Sequence, residues 1–140
     1  MKLLRSFLAV FALFFGVSAA HAQESGLQAA IPFNFVAGNK VLPAGHYTLR
    51  NWGNSSNVIA LRDSDEPIGA FSITSACSLR EPAKNSKLVF HRIGSEYFLY
   101  QIWVEGENTG REFPMSKLEV QMAKNAPQTE EVIVAALLAR

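Results

Sequence analysis

From Ala30 onward the chain alternates apolar and polar residues in short runs, the period-two pattern of half-buried strands. Ala30 to Val36 sets Ile31, Phe33 and Phe35 on one face, and Pro32, which cannot donate a ladder hydrogen bond, assigns that strand to an edge or a start. Gly38-Asn39 and Leu42-Pro43-Ala44-Gly45 are turn chemistry, and His46 to Arg50 leads out as a strand with Tyr47 and Leu49 inward. Asn51 to Asn57 is polar except for Trp52, Val58 to Leu61 is a short strand, and Asp63 to Pro67 turns the chain. Ile68 to Ser75 reads as a strand whose alternation continues to Cys77, so that Cys77 shares a side with Phe71 and Ile73, the side expected to be buried. An irregular link follows from Leu79 to Ser86.

Lys87 to Arg92 and Tyr97 to Val104 flank a short hairpin loop, Ile93 to Glu96. The second strand is apolar on both faces: strict alternation groups Phe98, Tyr100, Ile102 and Val104 on one, and Tyr97, Leu99 and Trp103 on the other. A strand of that kind is central and covered twice. One helix interrupts the series. Ser116 followed three residues later by Glu119 is a capping-box pattern, Met115, Leu118 and Met122 fall at helical spacing, and Asn125-Ala126-Pro127 stops the run. The tail from Glu131 to Leu138 is β-branched in front and helix-favouring behind, and reads as a closing strand through about Ala136. About seven short strands separated by turn signals, with one short helix near the C-terminus, predict a mainly β domain, an antiparallel β-sandwich or small barrel.

The N-terminus breaks the alternation. Lys2 and Arg5 precede an apolar run from Phe7 to Val17, and small residues end in Ala20-His21-Ala22, the layout of a secretory signal peptide cleaved after Ala22. The run is shorter than the about 20 apolar residues of a spanning helix. The expected organisation is therefore a signal peptide over 1–22 and a single β-domain over 23–140, exported to the periplasm or beyond the cell and not membrane-spanning. This leader also accounts for part of the 49% hydrophobic content and the mean hydropathy of +0.09. Of thirteen basic residues, loss of Lys2 and Arg5 leaves eleven against twelve acidic ones, so the formal charge passes from +1 to −1. With no basic cluster, nucleic-acid binding is not expected.

Candidate chemistry is sparse. Cys77 is the only cysteine, so no intrachain disulfide forms, and its strand parity points to a buried, inert thiol rather than a bridge between two chains. His46 and His91, the histidines beyond the leader, show no ligand spacing and read as surface or edge residues. Serines are plentiful, but no G-x-S-x-G elbow marks a nucleophile. Asp63, Asp65 and Glu66 lack the further oxygen ligands of a calcium loop, and Glu105 and Glu107 beside Gly106 read as a polar tip. Neither a metal nor another cofactor is expected, and no residue is nominated as catalytic. Asn54-Ser55-Ser56 is a glycosylation sequon. The candidate contact residue is Trp52, an aromatic in the polar segment RNWGNSSN, whose other possible role is to fold back over the core.

Ile31 to Leu49, with its IPFNFVAGNKVLPAGHY core, resembles the opening IPFxFxxGxxxLPAGxY of a group of small exported proteins from environmental bacteria. The resemblance implies an extracytoplasmic site and a layout of signal peptide, β-strands, and a short helix before a final strand, with Gly110 to Glu119 where that helix begins. It implies no catalytic residue. The expected role is a non-enzymatic binding or envelope-associated structural module whose partner is another envelope or extracellular component. The alternative is a binder of a small hydrophobic ligand held between the sheets.

Overall fold

The computed structural model describes residues 26–126 and 128–139; the proposed leader and Pro127 lie outside that range. Two sheets face one another as a β-sandwich. The first contains β1 (Gly26–Ile31), β4 (Gly45–Asn51), β5 (Val58–Asp63), β6 (Gly69–Ile73) and β12 (Leu137–Ala139), ordered β12-β1-β4-β5-β6. The second runs β11 (Glu130–Ala135), β8 (Lys87–Ile93), β9 (Glu96–Trp103), β10 (Thr109–Glu112), β7 (Ser75–Ser78), and β2 (Phe35–Ala37) joins it on β9, with β3 (Lys40–Leu42) paired to β2. All pairings are antiparallel except β2 with β9, which meet at Val36 and Phe98. The helix α1 (Lys117–Asn125) lies between β10 and β11 in the chain.

The described residues hold twelve strands rather than the seven expected, because three runs are cut in two and because β3 and β10 form where no strand was expected. The first run breaks after Ile31, at Pro32, and resumes at Phe35 in the other sheet, with half-buried Phe33 filling the gap against Phe90 and Tyr97. Ile68–Ser75 and the tail each switch sheets with a single intervening residue, at Thr74 and Ala136, which are 5% and 7% exposed. The tail is strand on both sides of Ala136, whose N–H donates to the Ser86 carbonyl at 3.0 Å.

Between the sheets the core is packed, with a cleft left at one end beside Leu27, Leu49, Ile59 and Ile102. Leu27, Ile31, Tyr47, Leu49 and Leu61 of the first sheet meet Phe35, Leu42, Leu88, Phe90 and Ile102 of the second. Phe90 has Phe33 and Phe35 edge-on at ring separations of 5.0 and 5.5 Å, and Phe35 has Tyr47 at 5.2 Å, a geometry aromatic quadrupoles favour. The LPAG turn is locked here, since the Tyr47 hydroxyl donates to the Pro43 carbonyl at 2.7 Å.

Two parity expectations are corrected. The pairing of β8 with β9 runs Val89↔Gln101 but Phe90↔Leu99, so Tyr100 is an extra residue, a β-bulge. A bulge shifts the side-chain alternation beyond it. Ile102 and Val104 therefore join Tyr97 and Leu99 toward the sandwich interior, while Phe98 and Trp103 pack on the outer side in separate small clusters. β9 is central and covered on both faces, as expected, but with its partners regrouped.

The second correction concerns β6. Phe71 and Ile73 are 59% and 72% exposed, whereas Ala70, Ser72 and Thr74 face inward. Gly38, in the β2–β3 turn, lies over Ser72, where a Cβ on Gly38 would come within 3.1 Å of Ser72 Oγ. Only small side chains fit that side, so the large ones take the other. Cys77, cut off from β6 by the switch at Thr74, is half-buried against the second sheet rather than aligned with a buried Phe71.

Candidate functional site

The outer face of the first sheet carries the largest aromatic group left in solvent. Trp52 follows β4, where its N–H donates to the Val58 carbonyl at 2.8 Å and anchors the base of the 51–57 loop. Its ring does not fold over the core. It is 52% exposed and stands edge-on to Phe71 of β6, ring centroids 4.6 Å apart and planes at 74°. Ladder register explains the meeting: Arg50 opposes Ala60, and Ala60 opposes Phe71, so the small Ala60 leaves the space into which Trp52 and Phe71 lean. Beside them a shallow hollow of about 580 Å³ is lined by Thr48, Arg50, Trp52, Ala60 and Arg62 among others. Sequence parity had placed Phe71 in the core; its partnership with Trp52 had no signal in the linear pattern.

The remaining sequence candidates are dispersed. His46 is exposed on β4, and the Asp63–Pro67 turn is closed by Asp63, whose Oδ1 accepts the N–H groups of Asp65 at 2.8 Å and Glu66 at 3.2 Å. Asp63 itself is 7% exposed and turned inward opposite Tyr47. Glu105 and Glu107 flank Gly106 in an exposed turn, and the 54–56 sequon lies in the exposed loop beyond Trp52. Among the described residues no three His, Cys, Asp or Glu side chains are grouped to hold a metal ion, and no helix is long and apolar enough to cross a membrane.

A polar group that the sequence reading missed sits on the outer side of the second sheet. Ser116 caps α1, its Oγ accepting the Glu119 N–H at 3.1 Å, as the capping-box pattern predicts. The Glu119 carboxylate, however, reaches His91 Nδ1 at 3.1 Å, and Glu119 is 4% exposed. The His91 ring stacks on Tyr100 at 3.9 Å. Glu119 thus pins the helix to β8 while Met122, Ala123 and Ala126 pack on Val36, Ile93 and Phe98; Met115 and Leu118 stay exposed.

Farther along this side, burial raises the Tyr100 phenol above its ordinary value, helped by the Glu112 carboxylate beside it. Burial likewise pushes the Cys77 thiol up, with Glu112 adding to it and Arg111 opposing. A thiol held protonated is a poor nucleophile. The group ties the helix to β8 through Glu119 and His91.

No family model, no curated protein and no solved structure matches the chain.

Proposed function

We propose that this chain is an exported, non-enzymatic β-domain that binds an envelope or extracellular component through the outer face of its first sheet, with Trp52 at the centre of the contact. The observation that carries this reading is the Trp52–Phe71 pair, two large aromatic rings more than half exposed on a rigid sheet. Exposed apolar surface of that kind marks interaction sites. Export rests on the basic start, apolar run and Ala20-His21-Ala22 site, and on the resemblance of the IPF–LPAG opening to small exported proteins. The alternative, a hydrophobic ligand between the sheets, has less support. The Phe33–Phe35–Phe90 cluster packs the middle of the interior, while a cleft of about 420 Å³ runs in between Leu27, Leu49, Ile59, Ile102 and Val104 and is rimmed by the charged Arg50, Glu105, Glu107 and Arg111, which disfavour a purely apolar ligand.

Titration of the protein against cell-wall sacculi, extracellular polysaccharides and phospholipid vesicles, followed by tryptophan emission, tests the proposal. Trp52 is solvent-exposed and Trp103 is 4% exposed, so a contact on this face shifts chiefly the Trp52 emission. The expected result is saturable binding to one of these materials that Trp52→Ala and Phe71→Ala each weaken at least about fivefold, the Trp52→Ala variant, which lacks the reporter, being compared by co-sedimentation or calorimetry. Binding indifferent to both substitutions would overturn the assignment of the face. Turnover of ester, glycoside or peptide substrates that is lost in His46→Ala or Cys77→Ala would overturn the non-enzymatic reading.

A further inference from the structure

The aromatic face is also charge-selective. The strands of the first sheet contribute Arg50, Arg62 and His46 as exposed residues; the acid among them, Asp63, also lines the hollow, but it is 7% exposed and its Oδ1 is taken up by the Asp65 and Glu66 N–H groups. Arg50 and Arg62 stand on neighbouring strands on one face: Arg50 opposes Ala60, and Arg62 follows two residues along the same strand. Diagonal neighbours of this kind lie about 7–8 Å apart at the backbone, close enough for both guanidinium groups to reach one ligand. Among the described residues neither arginine has a carboxylate oxygen within 4.0 Å. The local excess of positive charge contrasts with a chain that is near neutral as a whole.

Between these groups lies the hollow floored by Thr48 and Ala60, with Trp52 at its side. Its chemistry is therefore two cationic forks against the one hydrogen-bonded carboxylate of Asp63, the Thr48 and Ser64 hydroxyls, the Asn51 amide and an apolar ring surface. A guanidinium matches the planar oxygens of a carboxylate or a phosphate. A phosphate, however, offers nothing to an indole face. A sugar ring presents a patch of C–H groups that packs on an aromatic ring and hydroxyls that suit Thr48. A sugar acid combines the two.

We propose that this hollow binds an acidic saccharide, a uronic-acid-type unit whose carboxylate meets Arg50 and Arg62 while its C–H face lies on Trp52. The proposal rests on the reading of this face as the binding surface and names the class of its ligand. An acidic polymer presents the same unit repeatedly, which suits a shallow, exposed site of modest intrinsic affinity.

The probe is tri-galacturonate, titrated into the full exported chain by tryptophan emission at low and high salt, with maltotriose, inorganic phosphate and anionic phosphatidylglycerol vesicles as comparison ligands. The expected result is binding of tri-galacturonate that each of Arg50→Gln and Arg62→Gln weakens about fivefold, that the double variant weakens further, and that about 0.5 M salt, roughly three times the physiological level, largely abolishes. Both arginines are exposed, so these variants keep the fold, checked by an unchanged thermal melt. Equal binding of maltotriose, insensitive to the arginine substitutions, overturns the acidic class while the aromatic face stands. Preference for phosphate or for the vesicles overturns it in the same way. If the saccharides leave the emission unmoved but an envelope material shifts it through Trp52, the ligand class fails alone. If nothing in either panel moves it, both proposals fail.

Discussion

Replacing Gly110 by Ala adds one methyl group where β10 lies against Trp103. A Cβ at this position would sit 2.7 Å from the Ile102 carbonyl oxygen and 2.7 and 2.8 Å from Cε3 and Cζ3 of the Trp103 ring. Ordinary contact needs 3.4–4 Å, so backbone or ring must move by several tenths of an ångström, and neither is the free end of a flexible side chain. Trp103 is held in place, 4% exposed among Ala83, Val89 and Tyr100, with its Nε1–H donating to Gln101 Oε1 at 3.1 Å. Overpacking of this kind costs about 1–3 kcal/mol. In an unstrained strand the same substitution would instead stabilise by about 0.4–1 kcal/mol, by restricting the unfolded chain. The sign therefore discriminates. Gly110→Ala is expected to lower the melting temperature by about 4–12 °C for a domain of this size. Urea unfolding followed by emission in a Trp52→Phe background, where Trp103 is the only tryptophan, should give a matching loss of stability. Unchanged or raised stability would refute the placement of Trp103 on the outer side of β9, and with it the bulge at Tyr100 that puts it there.

Three further outcomes follow from the same geometry. Ser116→Ala removes the acceptor for the Glu119 N–H and should cost about 1 kcal/mol in urea unfolding, whereas Ser116→Asp, which retains a capping oxygen, should cost much less. Cys77, half-buried and with its thiol pushed up by burial first and Glu112 second, should react with a disulfide reagent at pH 8 at least about tenfold more slowly in the folded protein than in urea. Tyr100 and Tyr47 both have phenols raised above 10.0 by burial, with Glu112 and Asp63 respectively adding to it. Their neutral forms are favoured on folding, so the stability they contribute is complete below pH 10 and is lost as pH rises through their folded values; tyrosinate absorbance should therefore appear at higher pH in the folded protein than in urea.

Much of the fold was legible because alternation reports pairing without tertiary information. Tyr47 and Leu49 point inward on β4, the hairpin closes at Gly94-Ser95 with Gly94 at φ 61° as a first-position turn glycine, and Ser116 caps the helix. What failed was the assumption that an alternation, once begun, continues. Pro32 ends β1 because a sheet interior cannot absorb its missing donor, and Thr74 hands the chain from one sheet to the other. The bulge at Tyr100 is the least visible of these events. Nothing in YFLYQIWV marks an extra residue, since every position there except Gln101 is apolar or amphipathic and fits either face.

The candidate site depends on a different ambiguity. Period two tells which residues share a side but not which side is inside. In β6 the two sets are Ala70, Ser72, Thr74 and Phe71, Ile73; hydrophobicity alone assigns the second set to the core. The geometry reverses this because the β2–β3 turn approaches the inner side at Ser72 and leaves room only for small groups. The consequence is an edge strand bearing two large apolar residues in water, a liability for edge-to-edge association. Core packing does not explain Phe71 and Ile73 there, and neither does helix or turn chemistry. On the function proposed above, a ligand or partner covers Phe71 together with Trp52, and Arg50 and Arg62 on β4 and β5 select the charge that it brings.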